Sequence, residues 1–493
     1  MNNNSAESLT NLLKTHSSQF EENVRDTAII LAAGHGKRIK SNTSKMLHKI
    51  WEIPTVERVA DACLKGFTEL NIIIVVGIKA ADVIKTLGKK KSQSFAYQEV
   101  QHGTGHAVQV GMENISDNYE GHIYVFPGDM GLIDGESIAF FKNEFNNSNS
   151  DMMVLTGIFE GAIEDNYYGR IIRVKENDIN GNPSTDAGKV IEIKEYKDIL
   201  SLNDNIPYIA SFNKSEYSFT KSELINNREY NSGVFAFKYK PLNELIKKLG
   251  SNNVQNEIYI TDLIDIFNKH DYNVGAVSPL NQYVVMGFNN KSVLLEMNEI
   301  AKKNIYEKIK DITTIEDPND FFIHEDVVDN LLRQDAEGTI LDVVISKGVY
   351  IGKNVKLEPG VKISRNTRIE GDISIKKNVT IHENCNISCY YGQKIILNEN
   401  CEIFGGNIIT GNVEIGENTK IGSMVKISGS DSYPTRIEDN CKIKGVSYIF
   451  GSTIESNFDI ENSILNKKIL SKPVNFKGER FSVKNYTEIM EGT

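Results

Sequence analysis

The chain has 493 residues, 40% of them hydrophobic and 25% charged, an ordinary globular composition that excludes disordered and collagen-like proteins. This length predicts two to four domains, and the longest apolar runs are too short to span a membrane. The net charge of −11 argues against a nucleic-acid binder, which would usually be basic. Because the five cysteines have no zinc spacing and residues 1–26 lack a signal layout, we expect a cytoplasmic protein.

Residues 1–26 form a polar extension whose leucines have the spacing of a short helix. Strands then alternate with amphipathic helices, which predicts a domain over residues 27–290. Apolar, β-branched runs typical of buried strands occur at residues 27–33, 71–76 and 122–126. Repeated strand–helix units predict a mostly parallel α/β sheet covered on both faces. Ligands of such sheets bind beyond the carboxyl ends of the strands.

The second half of the chain has a different pattern. The pattern of residues 291–318 predicts a connecting helix. A repeat follows over residues 319–466, and residues 467–493 form a C-terminal tail. Within the repeat, aliphatic residues recur at every sixth position, with breaks near 390–394 and 429–435. This periodicity predicts a solenoid and resembles the left-handed hexapeptide β-helix. The aliphatic anchors are Ile345, Ile351, Leu357, Ile363, Ile369, Ile375, Ile381, Ile387, Leu397, Ile403, Ile409, Ile415, Ile421, Ile427, Ile437, Ile443 and Ile449.

Three of the cysteines, Cys385, Cys401 and Cys441, occupy the same position of this repeat. A small apolar residue at an inward position fills the core, so we predict core residues there rather than metal ligands. Cys63 is predicted to lie on the buried face of a helix over residues 56–66.

The first motif that could carry chemistry is a glycine-rich turn at residues 31–38, directly after the first predicted strand and followed by Lys45. Glycine lets backbone N–H groups approach phosphate oxygens. Arg38 can grip a phosphate with its planar fork, and Lys45 adds a mobile point charge. An ordinary βα turn explains such a motif about as often, since the Walker A ending and the third glycine of a dinucleotide fingerprint are missing.

Two further motifs follow at the ends of later strands. Residues 98–107 contain a Gly-Thr-Gly turn beside Gln98, whose amide offers both a donor and an acceptor to a pyrimidine base. Asp129 ends the apolar strand at residues 122–126, where a carboxylate is a natural ligand for hydrated Mg²⁺. Taken singly, the two motifs have plainer interpretations, as a loop and as a helix cap.

The order of the motifs is more specific than any one of them. This ordered set, with a hexapeptide β-helix after it, resembles the sugar-1-phosphate nucleotidyltransferase family, and most closely its bacterial N-acetylglucosamine-1-phosphate uridylyltransferases (GlmU type). The resemblance covers about residues 27–464, strongly in the first half and only in architecture in the second. It implies a Rossmann-like nucleotidyltransferase domain and a left-handed β-helix that forms homotrimers. The motifs occur at residues 31–45, 98–107, 128–129, 168–171, 195–198, 231–233, 256–262 and 287–290.

The resemblance also implies roles for individual residues. Arg38 and Lys45 match the catalytic cations that hold the triphosphate, and Asp129 and Asn289 match the Mg²⁺ ligands. The matching nucleotide contacts are Ala33, Gly34, Gln98, Gly103 and Thr104. The matching contacts to the sugar phosphate are Gly169, Glu195 and Asn231.

The implied reaction joins UTP and N-acetylglucosamine-1-phosphate to give UDP-N-acetylglucosamine and pyrophosphate, by in-line displacement with Mg²⁺. Departures from the family pattern at Lys37, Ser44 and Met130, and a polar insertion at about 201–227 beside the expected sugar pocket, leave other sugars open. The alternatives are another sugar-1-phosphate, such as glucose-1-phosphate, with UTP or dTTP, and a non-catalytic scaffold or regulatory subunit.

In bifunctional family members the β-helix also acetylates glucosamine-1-phosphate, and the family's segments for that reaction are missing from this sequence. Taking a proton from an amine usually requires a histidine. The only histidine after residue 335 is His382, which follows Ile381 and is predicted to be a solvated turn residue. We therefore expect no acetyltransferase activity and predict a scaffold role for the β-helix.

Overall fold

The computed structural model describes residues 3–34 and 36–472. The chain divides into two compact units, Met1–Asn298 and Glu299–Thr493. Much of the predicted tail, residues 473–493, lies outside the described residues. None of the helices in the described part of the chain is both long and apolar enough to cross a membrane.

The first unit is built from short strands and helices that alternate along the chain. Its helices and strands are α1 (Asn3–His16), β1 (Asp26–Ala32), β2 (Lys49–Ile50), β3 (Ile53–Pro54), α2 (Thr55–Gly66), β4 (Asn71–Val76), α3 (Ala80–Leu87), β5 (Gln93–Tyr97), α4 (Thr104–Met112), β6 (His122–Pro127), α5 (Gly135–Asn147), β7 (Met152–Ile158), β8 (Arg170–Arg173), β9 (Val190–Lys194), α6 (Tyr196–Leu200), β10 (Tyr208–Phe212), β11 (Ser215–Phe219), α7 (Lys221–Asn226), β12 (Glu229–Lys238), α8 (Tyr239–Leu245), α9 (Leu263–Lys269) and β13 (Val274–Val277). Short 3₁₀ turns occur at Lys37–Ile39, Lys45–Leu47, Ile163–Asp165, Ile246–Lys248, Ile260–Asp262 and Gln282–Val285.

The sheet of the first unit is mixed and mostly parallel, as predicted. Its strands lie in the order β13-β7-β12-β6-β1-β4-β5, with β8 and β9 attached to β12. Strands β6, β1, β4 and β5 are parallel, whereas β12 is antiparallel to both β6 and β7. The carboxyl ends of β1, β4, β5 and β6 therefore share one edge of the sheet.

Helices cover both faces of this sheet, which explains why its central strands are uninterrupted apolar runs. Ile30 and Ile74 pack into one core, together with Cys63 of α2. The preceding residues, Ile29 and Ile73, pack into the core on the opposite face. Cys63 is fully buried, which confirms its predicted place in the core.

The N-terminal extension covers the sheet at its β5 edge. Helix α1 brings Leu9, Leu12 and Leu13 against the core of the first unit. Beyond the helix, the Ser18 backbone N–H donates to the Gln93 carbonyl at 2.7 Å, so the chain pairs with a strand edge that would otherwise be open.

The predicted insertion at about 201–227 folds as a β-hairpin, β10–β11, followed by α7. Ala210, Phe212 and Tyr217 point inward and form a small separate core with residues of β8 and β9. The Tyr208 hydroxyl donates to the Glu192 carboxylate at 2.5 Å, which ties the hairpin to β9. The insertion is therefore an ordered layer over the β8–β9 pair.

The second unit contains a parallel β-helix. Helices α10 (Lys291–Ile309) and α11 (Glu325–Ala336) precede the regular coils along the chain. The strands of the first face are Thr313–Ile315, Val343–Ile345, Lys362–Ile363, Thr380–Ile381, Glu402–Ile403, Lys420–Ile421, Lys442–Lys444 and Asp459–Glu461. Those of the second face are Phe321–Ile323, Val349–Ile351, Arg368–Glu370, Asn386–Ser388, Ile408–Gly411, Lys426–Gly429, Tyr448–Phe450 and Ile464–Asn466. Those of the third face are Val355–Leu357, Ile373–Ile375, Ile395–Leu397, Val413–Ile415, Thr435–Ile437, Thr453–Ile454 and Ile469–Leu470.

The hexapeptide prediction is confirmed, because the aliphatic anchors stack inside the β-helix. Ile403 and Ile409, on adjacent faces of one coil, are both completely buried. Cys385, Cys401 and Cys441 are buried among them and form no disulfide, as expected for core residues. Strands begin before the predicted boundary at 319 and continue past 466.

His382 is less exposed than its predicted turn position suggested. Its ring stacks on Phe404 with 4.8 Å between centroids, and its Nε2 lies 3.3 Å from Glu402 Oε1. The side chain is 32% exposed, so it is half-buried by its neighbours rather than fully solvated.

Candidate active site

Several of the predicted site residues lie where the parallel strands of the first unit end. Ala33 and Gly34 follow β1, Gln98 follows β5, and Asp129 follows β6. The turns after β1 and β6 lie side by side, since the Gly128 N–H donates to the Leu31 carbonyl at 3.0 Å. Strand register thus brings separate motifs to one edge of the sheet.

Lys45 connects the two predicted metal ligands. Its ammonium nitrogen lies 2.5 Å from Asp129 Oδ2 and 3.0 Å from Asn289 Oδ1. The side chains of Lys45 and Asp129 are only 12% and 15% exposed. The ammonium also lies 5.4 Å from the centre of the ring of Phe288, the residue before Asn289. The fold therefore brings together three predicted residues that are far apart in sequence.

The donor set at this point fits a hard divalent cation. Asp129 and Asn289 offer carboxylate and amide oxygens, the ligands that Mg²⁺ prefers. Both oxygens contact one ammonium nitrogen, so they are close enough to be turned toward a shared ion. Within residues 3–34 and 36–472, no three His, Cys, Asp or Glu side chains converge on a metal position. A two-ligand site suits Mg²⁺ that takes its other oxygens from water and substrate phosphates.

The glycine-rich turn after β1 is shaped to admit Lys45. Gly36 has a φ of +57°, in the left-handed region, and a Cβ there would come within 2.7 Å of the Lys45 Cβ. Arg38 lies on the next turn, Lys37–Ile39, and is exposed. Its positive charge acts on Tyr168, where it partly opposes the rise in pKa that burial causes.

Tyr168 and Gly287 belong to this site although no role was predicted for either. The Tyr168 hydroxyl donates to the Gly287 carbonyl at 3.1 Å. Gly287 packs against the Asp129 carboxylate, since a Cβ there would lie 3.3 Å from Asp129 Oδ2. Both residues fall inside motifs that are visible in the sequence. Only the tertiary structure shows that these two motifs contact each other.

The second group of predicted residues forms the turn before α4. The buried Gln98 amide nitrogen contacts the Gly103 carbonyl at 3.3 Å and His106 Nδ1 at 3.0 Å. Gly103 has a φ of +113°, and a Cβ there would collide with the backbone of Ile258. Thr104 accepts a hydrogen bond from the Ile260 N–H at 3.2 Å. The turn is therefore joined to the segment around Ile260.

The third group lies near β8, β9 and β12. The Asn231 N–H donates to the Gly169 carbonyl at 2.9 Å. Glu195 directly precedes α6 and packs against Gly169, where a Cβ would come within 3.0 Å of Glu195 Oε1. Burial, reinforced by the negative charges of Asp198 and Asp262, raises the pKa of Glu195 to about 7. Gly169 thus contacts both Glu195 and Asn231, and the assignment of these three residues to the sugar phosphate stays a prediction.

An acidic cavity of about 250 Å³ opens beside this group. Burial, with neighbouring carboxylates, raises the pKa of Asp262 to about 6. The residues that line this cavity are Glu192, Ile193, Gly250, Asn252, Thr261, Asp262, Asp265 and Ile266.

Comparison with known proteins finds similarity over part of the chain. Residues 28–161 match the MobA-like NTP transferase domain. A bifunctional protein GlmU from Acetivibrio thermocellus is 32% identical over 301 residues, which cover 61% of this chain and 57% of that protein. The GlmU of Clostridium tetani is 34% identical over 61% of this chain and 58% of its own length. That of Clostridium novyi is 32% identical over 67% of this chain and 65% of its own length. The match thus spans less than two thirds of these relatives.

Two solved structures are also similar to this chain. A UDP-glucose pyrophosphorylase complexed with UDP-glucose has a TM-score of 0.37 and 15% identity, covering 57% of this chain and 99% of its own. A putative glucose-1-phosphate thymidylyltransferase from Bacillus anthracis has a TM-score of 0.38 and 18% identity, covering 56% and 95%.

Proposed function

Starting from the MobA-like NTP transferase domain at residues 28–161, we propose that this protein is a sugar-1-phosphate uridylyltransferase. It would convert UTP and N-acetylglucosamine-1-phosphate to UDP-N-acetylglucosamine and pyrophosphate in the cytoplasm. The main support is the meeting of Lys45, Asp129 and Asn289 at the carboxyl edge of the sheet. A basic side chain and two oxygen ligands at one point suit the handling of a triphosphate.

The reaction needs charge neutralisation and alignment more than a strong base. A sugar phosphate oxygen is already an anion, and it would attack the α-phosphorus of UTP in line with the leaving pyrophosphate. Lys45 and Arg38 would hold the phosphates and offset the negative charge that develops. Arg38 is exposed, so its fork is free to reach an incoming nucleotide.

Asp129 and Asn289 are the residues that would hold Mg²⁺, and the ion would supply positive charge that offsets the charge of the phosphates. Lys45, whose ammonium lies on these two oxygens, would place its positive charge beside the phosphates.

The other two groups would recognise the base and the sugar. Ala33 and Gly34 would lie against the nucleotide, and Gln98, Gly103 and Thr104 would read the uracil. Because the Gln98 amide nitrogen already contacts its own turn, its amide oxygen would be the group facing the base. The sugar phosphate would bind at Gly169, Glu195 and Asn231.

The proposal is tested by Mg²⁺-dependent pyrophosphate release from the purified full chain, over a grid of nucleoside triphosphates and sugar-1-phosphates. We expect the highest kcat/KM for UTP with N-acetylglucosamine-1-phosphate. A higher value for glucose-1-phosphate or dTTP would replace the substrate and keep the reaction. No release with any pair would favour a scaffold or regulatory subunit, although Arg38, Lys45, Asp129 and Asn289 are all retained.

The β-helix would serve as a scaffold and assemble the protein as a homotrimer. We expect a mass near three chains by light scattering, and no acetylation of glucosamine-1-phosphate with acetyl-CoA. Acetyl transfer by the purified protein would contradict the scaffold role.

A further inference from the structure

The segment that carries Asn289 reaches the site from far along the chain, so something must hold it in place. Its backbone at Gly287 lies against the Asp129 carboxylate, where a Cβ would come within 3.3 Å of Oδ2. The Gly287 carbonyl accepts a hydrogen bond from the Tyr168 hydroxyl at 3.1 Å. This bond fixes the segment two residues before the proposed ligand.

Tyr168 is itself held firmly. Its ring stacks on Tyr230 with 4.5 Å between centroids and 28° between planes. Its backbone N–H donates to Asn166 Oδ1 at 3.3 Å, and its carbonyl accepts from the guanidinium of Arg170, which is fully buried. The ring that carries the hydroxyl is therefore held by its stack on Tyr230, and the backbone of Tyr168 is held by Asn166 and the buried Arg170.

The Tyr168 hydroxyl stays a donor at any pH where the protein is assayed. Burial, with the nearby charge of Asp129, raises the pKa of Tyr168 to about 12. A carbonyl can only accept, so the proton on this hydroxyl determines whether the bond to Gly287 exists.

From this geometry, and resting on the proposed function, we propose that Tyr168 is a positioning residue. Its hydroxyl holds the Gly287–Asn289 segment in register with Asp129, so that the carboxylate and amide oxygens can bind one divalent cation together. Tyr168 acts through Gly287 and does not itself contact the ion. Residues that orient metal ligands typically change metal affinity by about 10- to 100-fold when they are replaced.

The variant that tests this role is Tyr168→Phe, which keeps the ring and its stack on Tyr230 and removes one hydrogen bond. Tyr124→Phe is the matched control. Tyr124 is fully buried in β6, the strand that ends before Asp129, and within the described residues its hydroxyl has no hydrogen-bond partner. Both variants therefore remove a buried hydroxyl, but only one removes a bond to the ligand segment.

The experiment measures Mn²⁺ binding to the full chain with UTP present, by the loss of the free-ion EPR signal, and the Mg²⁺ dependence of pyrophosphate release. We expect Tyr168→Phe to bind Mn²⁺ about tenfold more weakly, with kcat at saturating Mg²⁺ within about threefold of the wild type. Tyr124→Phe should bind Mn²⁺ like the wild type.

Wild-type affinity in Tyr168→Phe would overturn the positioning role and leave the proposed function intact. Equal weakening in Tyr124→Phe would also overturn it, because the loss would then follow from any buried hydroxyl. If the wild-type protein itself binds no Mn²⁺ with UTP, the metal assignment fails and the positioning role fails with it. Thermal unfolding of each variant checks that the fold is retained.

Discussion

Lys45 and Asp129 form an ion pair with 2.5 Å between ammonium nitrogen and carboxylate oxygen, although both side chains are largely shielded from water. In a shielded position an ion pair is screened less by salt than at the surface. Asn289 joins the pair, so Asp129 supplies both charge and an oxygen, Lys45 supplies charge alone, and Asn289 supplies an oxygen alone.

Replacing Asp129 tests the centre of the site. We expect Asp129→Ala to lower kcat for pyrophosphate release by at least about 100-fold, as lost transition-state charge stabilisation usually does. The exposed Asp117 is the control, and Asp117→Ala should retain wild-type turnover. Near wild-type rates in Asp129→Ala would remove the metal-ligand role.

Arg38 offers a cleaner separation of catalysis from stability. Because it is exposed, Arg38→Ala should change the free energy of unfolding by no more than about 0.5 kcal/mol. Turnover should nevertheless fall by at least about 100-fold, since the guanidinium would offset charge at the phosphates. Urea unfolding and pyrophosphate release measure the two quantities. A variant that loses stability but keeps turnover would show that Arg38 has a structural role.

Glu195 predicts a pH dependence of stability. Its folded pKa of about 7 lies above its ordinary value because of burial, so the folded state retains a proton that the unfolded state releases. Between the ordinary carboxyl pKa and about pH 7, the free energy of unfolding contributed by this group should fall as the pH rises. Glu195→Gln cannot ionise, so its unfolding should lack this part of the pH dependence. Urea unfolding at pH 5 and pH 8 compares the two proteins.

The same variant reports on the sugar site. The ratio of the KM values for sugar-1-phosphate in Glu195→Gln and wild type should change between pH 6 and pH 8, since only the wild type ionises there. The substrate phosphate, with a pKa near 6, titrates in the assays of both proteins. Taking the ratio of the two KM values cancels this shared contribution. The exposed Glu164→Gln serves as the control. A constant ratio would place Glu195 outside the sugar site.

The cysteines predict a simple labelling pattern. Four thiols are buried and only Cys389 is partly accessible. Under native conditions a thiol reagent should therefore react with one group per chain, and Cys389→Ser should abolish that reaction. All five should react in denaturant. Fast native labelling of a second thiol would contradict the packing of the β-helix core.

The β-helix was predictable because its repeat is local. Each coil places the same residue type at the same inward position, so a sixfold spacing is enough to predict that Ile403 and Cys401 are buried. The central strands of the first unit were predictable for a related reason, since continuous apolar runs are typical of strands covered on both sides. The fold of the insertion was not predictable in the same way, because its small core forms only when Phe212 and Tyr217 pack against residues of β8 and β9.

Sequence alone identified Lys45, Asp129 and Asn289 as members of motifs, because their types and order match a known pattern of phosphate and metal chemistry. It did not show that Tyr168 holds Gly287, or that burial raises the pKa of Glu195. Those properties depend on which distant segments pack together and how much water they exclude, and both are decided by the tertiary structure.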